Sequence, residues 1–477
     1  MQPFYNIEKE PLKILLIYPN RIESPKDISH GLAQISAVLK KEGHIIELLD
    51  STFQELSDET IINKVKEFQP QLVAMTAASN DYYYSKHIAE VIKKVSNVLI
   101  LVGGFHAIIA PYDFVKHDCF DMVCIGEGED AIKELAYYIQ RGNINYNIKN
   151  IWFKRGEEVI TNPLRKLNEN LESLPFPDTE LFDYQKYINA NRGLATFIST
   201  RGCPYQCTYC INKTLIGKYA GLGKFIRYKS IDYLFEEIKG VIKKYNVKEI
   251  EFYDDTFTLD IKRVREFCER YPKEIKLPFY LNVRVNSVTE EMFKLLKKAG
   301  CTRVNIGVEA GDKYIRNEIL KRNMTDEQII QTFKWARVAG LETYAFNMIG
   351  LPYETKESIQ KTIELNMKIQ PDRVGASIFN AYKGTELYKI CKENGWLKEE
   401  ITKDSYFQSS NVNHPNFTIK ELKFIRDTFG AQVYRKERKL RATLDIIDKT
   451  LSKYPFFYQI RSFLFRINVV RRLVKSL

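Results

Sequence analysis

Short apolar runs alternate with amphipathic stretches along most of this chain, in two separate series, and that alternation dictates the fold class before any motif is read. The pattern is that of parallel strands joined by helices, because a strand covered on both faces shows no polar side. In the first series the runs fall at 12–18, 45–49, 72–75, 98–102 and 122–125, with helices predicted at 31–41, 59–68, 83–94 and 129–138. This layout predicts a flavodoxin-like, doubly wound α/β domain over 10–145, with ligands at the carboxyl ends of its strands. The pattern then loosens: a hairpin is expected around 151–153 and 159–161, followed by the turn-rich Leu174-Pro175-Phe176-Pro177-Asp178, so 146–190 reads as a linker. The second series places strands at 196–200, 249–253, 279–285, 303–309, 342–349 and 373–379. Helices are expected between them at 231–245, 261–270, 290–299, 326–339 and 356–369, the fourth opened by a capping box of Thr325 and Gln328. Six βα units over 191–420 make a partial (β/α)6 TIM barrel, with its chemistry at the carboxyl ends. A helical, basic region over 421–477 completes the reading.

A chain of 477 residues is too long for one core, which agrees with several domains. Its net charge of +12 sits mostly in the tail: residues 435–477 carry 12 Lys and Arg against 3 Asp and Glu. With no basic stripe across the folded body, no nucleic-acid partner is expected. Residues 454–477 interleave aromatic and aliphatic residues with Arg461, Arg466, Arg471, Arg472 and Lys475. A basic amphipathic helix of this kind can lie on a membrane surface or bind an acidic partner, and can equally pack on the barrel. No apolar run is long enough to span a bilayer and the first dozen residues do not read as a signal peptide, so the expected location is the cytoplasm, with the inner membrane face as the variant that the tail allows.

Of the eight cysteines, only Cys203, Cys207 and Cys210 are clustered, so a disulfide framework is not expected. Their C-x3-C-x2-C spacing follows the first strand of the second series and lies at the barrel's catalytic end. Three thiolates from one short loop can bind three irons of a 4Fe-4S cubane and leave the fourth iron open. The alternatives are a structural zinc site or three ordinary buried thiols. Structural zinc takes four ligands, and 202–212 holds no fourth Cys or His, though a distant residue could supply one.

The loop Arg201-Gly-Cys-Pro-Tyr-Gln-Cys-Thr-Tyr-Cys-Ile-Asn-Lys closely resembles that of the radical S-adenosylmethionine (SAM) superfamily, over roughly residues 190 to 420. Glu251-Phe-Tyr-Asp-Asp-Thr-Phe, Asn305-Ile-Gly-Val-Glu-Ala-Gly and Asn347-Met-Ile-Gly-Leu-Pro-Tyr-Glu-Thr resemble strand-end motifs of the branch that carries cobalamin-binding domains. The resemblance implies that Cys203, Cys207 and Cys210 hold the cluster, that Asp254 and Asp255 lie near the SAM amino group or the substrate, that Glu309 meets the ribose and that Arg284 meets the SAM carboxylate. These charges can also simply solvate the barrel mouth.

The first domain ends its fourth strand in Val102-Gly-Gly-Phe-His-Ala and its fifth in Ile125-Gly-Glu-Gly-Glu-Asp. Paired glycines at strand ends leave room for a phosphate or a flat cofactor. Together with His30-Gly-Leu-Ala-Gln-Ile and Gly43-His-Ile-Ile-Glu-Leu-Leu-Asp50, the segment resembles the cobalamin-binding domain fused ahead of many radical SAM barrels. It departs from methionine synthase-like domains in lacking Asp-x-His-x-x-Gly, which supplies an axial histidine, so cobalamin binding and its lower ligand stay open. The candidate contacts are Thr76, Ser79, Gly103, Gly104, His106, Gly126 and Gly128. For His106 local hydrogen bonding outweighs metal ligation, and Thr76 and Ser79 can equally serve as turn and cap residues.

The resemblance implies an enzyme that reductively cleaves SAM to a 5′-deoxyadenosyl radical, with cobalamin delivering a methyl group to an unactivated carbon of a lipid or other small metabolite. It also implies an external electron donor of flavodoxin or ferredoxin type. Cyclisation and oxidation are the alternatives within the family, and a cofactor-dependent sensor is the non-enzymatic one. A methylthiotransferase would need a second cysteine triad, which Cys119 and Cys124 do not make.

Overall fold

The computed structural model describes residues 10–20, 27–398 and 409–435; the basic segment 454–477 lies outside them. Two compact units result: the described residues of Met1–Pro204, Ile211–Glu251 and Tyr382–Gly384 in one, and those of Tyr205–Cys210, Phe252–Ala381 and Thr385–Leu477 in the other.

The first sheet contains β1 (Lys13–Tyr18), β2 (Ile45–Asp50), β3 (Leu72–Thr76), β4 (Leu99–Gly103), β5 (Met122–Cys124), β6 (Ile151–Arg155) and β7 (Glu158–Ile160), in the order β2-β1-β3-β4-β5-β6-β7. Its first five strands are parallel, as expected for a flavodoxin-like fold. Ile17, Val73, Ile100, Val102 and Val123 are fully buried in its core, which is why these strands read as unbroken apolar runs. The expected hairpin forms, but it joins this sheet: β6 pairs antiparallel with β5. The helices His30–Lys41 and Asp58–Phe68 start where Ser29 and Ser57 accept a first-turn backbone N–H. Two short helices, Phe105–Ile109 and Tyr112–Val115, follow β4 and had no periodic signal.

The second series begins with β8 (Leu194–Phe197) and β9 (Thr200–Arg201), the latter pairing antiparallel with β10 (Arg227–Tyr228). The strands β11 (Glu249–Phe252), β12 (Phe279–Val283), β13 (Cys301–Glu309), β14 (Glu342–Ile349) and β15 (Arg373–Ile378) follow. The sheet runs β8-β11-β12-β13-β14-β15, in chain order, and is parallel from β12 to β15. That is the open, partial barrel expected from six βα units. In register, Asn282, Asn305 and Tyr344 are level, and so are Gly307, Phe346 and Gly375. Val304, Ile306 and Val308 point to the other face and are fully buried. The helix Ile419–Tyr434 packs on this sheet through Phe429, beside Ile349 and Ile378. Among the described residues no helix is long and apolar enough to cross a membrane.

Candidate active site

Gly202 makes the cysteine loop possible, since its φ is +89° and a Cβ there would stand 2.4 Å from the carbonyl oxygen of Phe225. Cys203 and Cys207 are buried and Cys210 half-buried. The middle of the loop is pinned at Thr208, whose hydroxyl donates to the Ile319 carbonyl at 2.6 Å and whose own carbonyl accepts from Leu387 N–H at 3.1 Å. Among the described residues no three His, Cys, Asp or Glu side chains converge on one metal-ion position. Thiolates on a cubane each bind a different iron, so they need no common point.

Two guanidinium groups meet Cys207. Arg284 Nη1 lies 3.1 Å and Arg322 Nη1 3.9 Å from its Sγ. Arg284 also stacks on the Tyr205 ring, 3.9 Å from its centroid, and its Nη2 donates to the Arg322 carbonyl. Arg322 Nη1 donates to Tyr209 Oη at 3.0 Å and Nη2 to the Gly307 carbonyl. The Nε atoms of both arginines are buried and find no acceptor among the described residues. Unmade donors beside a thiol suit an anionic group: a cluster on three thiolates, or a carboxylate brought next to it. Arg322 was not anticipated from the sequence, because it sits in a turn between Lys321 and Asn323, both at positive φ, far along the chain from Cys207.

Glu309 ends β13 at φ +67°, after a register shift between Gly307 and Glu309. A side chain held in the left-handed region at a strand end is a strained placement kept by its surroundings. Its Oε1 accepts from Tyr209 Oη at 3.4 Å and lies 4.0 Å from Arg322 Nη2. Burial pushes its carboxyl above the usual range, against the pull of Arg322. A Cβ on Gly307 would meet Glu309 Oε1 at 2.4 Å, so the carboxylate occupies the space that this glycine leaves. The structure therefore brings Cys207, Tyr209, Arg284, Glu309 and Arg322 together. Asp254 is buried just beyond β11, its carbonyl accepting from Asn282 Nδ2 at 3.4 Å, whereas Asp255 is exposed.

In the first unit Thr76, Ser79, Gly103, Gly104 and His106 gather at the ends of β3 and β4. His106 is buried with both ring nitrogens engaged: Nδ1 lies 2.9 Å from Ser79 Oγ and Nε2 3.1 Å from Asp113 Oδ2. Asp113 also accepts from Lys383 Nζ at 2.6 Å. Burial works against the Asp113 carboxylate, but the hydrogen bonds from His106 and Lys383 outweigh it and hold the carboxyl below the usual range. His106 thus orients Ser79 as the structure stands. Gly104 is required by the chain itself, with φ +90° and Thr76 Oγ1 2.5 Å from an added Cβ. Gly126 and Gly128 flank Glu127, which lies 2.6 Å from Arg227 Nη2 and 3.3 Å from Arg201 Nη1; Arg201 Nη2 reaches Glu129 at 2.6 Å. These ion pairs anchor the loop after β5 to the strand that leads into Cys203, a role for Arg201 and Arg227 that carries no local sequence signal.

Residues 28–136 match the B12 binding domain and residues 197–365 the radical SAM superfamily. An uncharacterized methyltransferase of Pyrococcus horikoshii is 28% identical over 460 residues, covering 91% of this chain and 98% of that protein. The anaerobic magnesium-protoporphyrin IX monomethyl ester cyclase of Cereibacter sphaeroides is 24% identical, covering 80% of this chain and 64% of its own. Among solved structures, the radical SAM methyltransferase TsrM of Kitasatospora setae, with cobalamin and a [4Fe-4S] cluster bound, shares the fold at a TM-score of 0.68 and 19% identity, over 82% of this chain and 80% of that one.

Proposed function

We propose, from the match of residues 197–365 to the radical SAM superfamily and of residues 28–136, ahead of them, to the B12 binding domain, that this chain is a cobalamin-dependent methyltransferase acting on an unactivated carbon of a lipid or other small metabolite. The observation that carries the reading is the pair of guanidiniums at Cys207, each with a buried Nε that finds no acceptor among the described residues. Cys203, Cys207 and Cys210 would hold a 4Fe-4S cluster, one thiolate to an iron, with the fourth iron left for SAM. When bound, the cluster and SAM supply a 5′-deoxyadenosyl radical and cobalamin supplies a methyl carrier. Arg284 and Arg322 keep positive charge against the sulfur and offer Nε to a carboxylate. Glu309, fixed by Tyr209 and Arg322, offers acceptors to a ribose diol. Asp254, just beyond the end of β11, would serve an amino group or the substrate. Residues 10–145 would bind cobalamin through Thr76, Ser79, Gly103, Gly104, His106, Gly126 and Gly128, and 191–420 would form the reacting core. The electron would come from an external flavodoxin- or ferredoxin-type donor, and the basic run 454–477 favours contact with an anionic membrane surface.

The test is the anaerobically reconstituted, reduced protein supplied with SAM labelled in its methyl group. Formation of 5′-deoxyadenosine together with label in a product supports methyl transfer. Absence of 5′-deoxyadenosine with candidate substrates present would sink the enzyme reading. A second reading, anaerobic cyclisation, has the cyclase relative in its favour, and an unlabelled product would select it.

A further inference from the structure

Phe346 lies on β14 between β13 and β15, yet its side chain is 38% exposed. In a filled barrel a large apolar residue on an interior strand is covered by side chains of the neighbouring strands. Here the residues level with it are Gly307 and Gly375. Tyr344 packs against Phe346 with ring centroids 4.5 Å apart, and its hydroxyl leans over Gly375. The pair forms an aromatic floor, open on the face that carries Glu309 over Gly307.

On the same face, towards the amino ends of the strands, stands Arg303. Its guanidinium lies 3.7 Å from the Tyr280 ring, and its Nε donates to Asn305 Oδ1 at 3.1 Å. Asn305 in turn donates to Asn282 Oδ1 at 3.0 Å. Stacking and one hydrogen bond fix the group and leave its two Nη atoms with no acceptor among the described residues. No carboxylate among them pairs with it either, since Glu342, level with Arg303, is taken by Arg373. The face therefore holds a pre-oriented cation, of the geometry that grips a carboxylate or phosphate through two parallel bonds. Four residues of strand, about 13 Å, separate Arg303 from the level of Phe346.

We infer that this face binds the substrate, and that the substrate is an elongated, largely apolar molecule with a terminal carboxylate or phosphate. The body lies on Tyr344 and Phe346, and the anion meets Arg303. This rests on the methyltransferase reading above and adds the substrate class to it. A single amino acid or free sugar is too short to be held at Arg303 and still reach past Phe346 towards Glu309.

The test measures binding to the full-length reconstituted protein without reductant, by calorimetry, with dodecanoate, dodecyl phosphate and dodecanol as probes. At least one anionic probe is expected to bind roughly tenfold or more tightly than dodecanol, as a charge-assisted contact implies. Whichever anion binds more tightly identifies the head group. Arg303→Gln should erase the anion preference and leave dodecanol unchanged, Arg303→Lys should restore part of it, and Phe346→Ala should weaken all three. Thermal midpoints close to wild type establish that the variants are folded, and Arg303→Lys keeps the test alive if Arg303→Gln is not. Equal affinity for anionic and neutral probes, or an anion preference that survives Arg303→Gln, overturns the inference. Formation of 5′-deoxyadenosine is assayed separately. If it persists while the anion preference is missing, the substrate class falls and the enzyme reading stands. If anion binding follows the pattern above without 5′-deoxyadenosine, the anion site stands and the enzyme reading falls.

Discussion

Arg322 is the residue on which the buried charges around Cys207 depend. It serves Tyr209, Gly307 and Glu309 at once, and removing it leaves the Glu309 carboxyl buried without its cation. Breaking one side of a buried ion pair costs about 3 kcal/mol or more, well above an exposed pair. We expect Arg322→Met to lower unfolding stability by about that amount in denaturant titration, and Glu309→Gln in the same chain to recover part of it. Glu354 gives a different signal. It is fully buried, its Oε2 accepts from Gly350 N–H at 2.6 Å and Leu351 N–H at 3.1 Å, and its Oε1 has no partner among the described residues. Burial pushes its carboxyl from 4.5 up to about 8. A carboxyl raised on folding contributes stability that is fully present below its unfolded value and is lost as pH rises through the folded one. Thermal midpoints of the wild type should therefore fall between about pH 5 and 8, and Glu354→Gln should flatten that slope; an unchanged slope would show that other groups set it. At this scale the cysteines, Arg284 and Glu309 were legible because each sits in a local string at a strand end. Arg322, Arg201 and Arg227 were not, because their partners lie far along the chain and a turn or a two-residue strand has no period to read.

The strands of the first series were legible to within a residue, since burial on both faces forces unbroken apolar runs, and the helix Asp326–Val338 starts at the Thr325 cap that its sequence announces. Irregular elements were not. The bulge at the end of β13 and the π-helical turn Tyr314–Ile319 depend on tertiary contacts, among them the fully buried Arg316, which donates to the carbonyls of Ala310 at 3.0 Å and Met324 at 2.9 Å. The bulge matters because it turns Glu309 over Gly307. An added methyl at Gly307 would come nearest to the carboxylate of Glu309 and the guanidinium of Arg322, at 2.4 and 2.9 Å. Both belong to the buried network around Cys207, so Gly307→Ala should lower stability, by less than the loss of Arg322 because the ion pair can re-form after a shift. It should also weaken SAM binding by roughly tenfold, about the worth of one hydrogen bond to a charged group. Calorimetry on the reconstituted protein checks this, and unchanged SAM affinity would remove Glu309 from the ribose site.

For the whole molecule, the sequence separates the two cofactor functions into two series of strands, and the residues assigned to each are disjoint. The residues proposed for the cluster belong to the loop after β9, while the cobalamin candidates follow β3, β4 and β5. Gly104 and Gly126 are demanded by their own neighbours, so substitutions there would confound folding with cofactor loss. Gly103 is the informative position: an added Cβ meets only the Cys124 Cβ at 3.5 Å, an ordinary contact, and its φ is not in the left-handed region. Gly103→Val should therefore fold with a thermal midpoint near wild type, yet place a branched side chain where a flat cofactor would approach the strand end. The expected outcome is a protein that keeps its iron and sulfide and loses cobalamin from its absorption spectrum. Replacing Cys203, Cys207 and Cys210 together by Ala should give the converse, cobalamin retained and iron absent. Loss of both cofactors in either protein would mean that the two sites assemble as one, and full cobalamin retention in Gly103→Val would move the cofactor away from the end of β4.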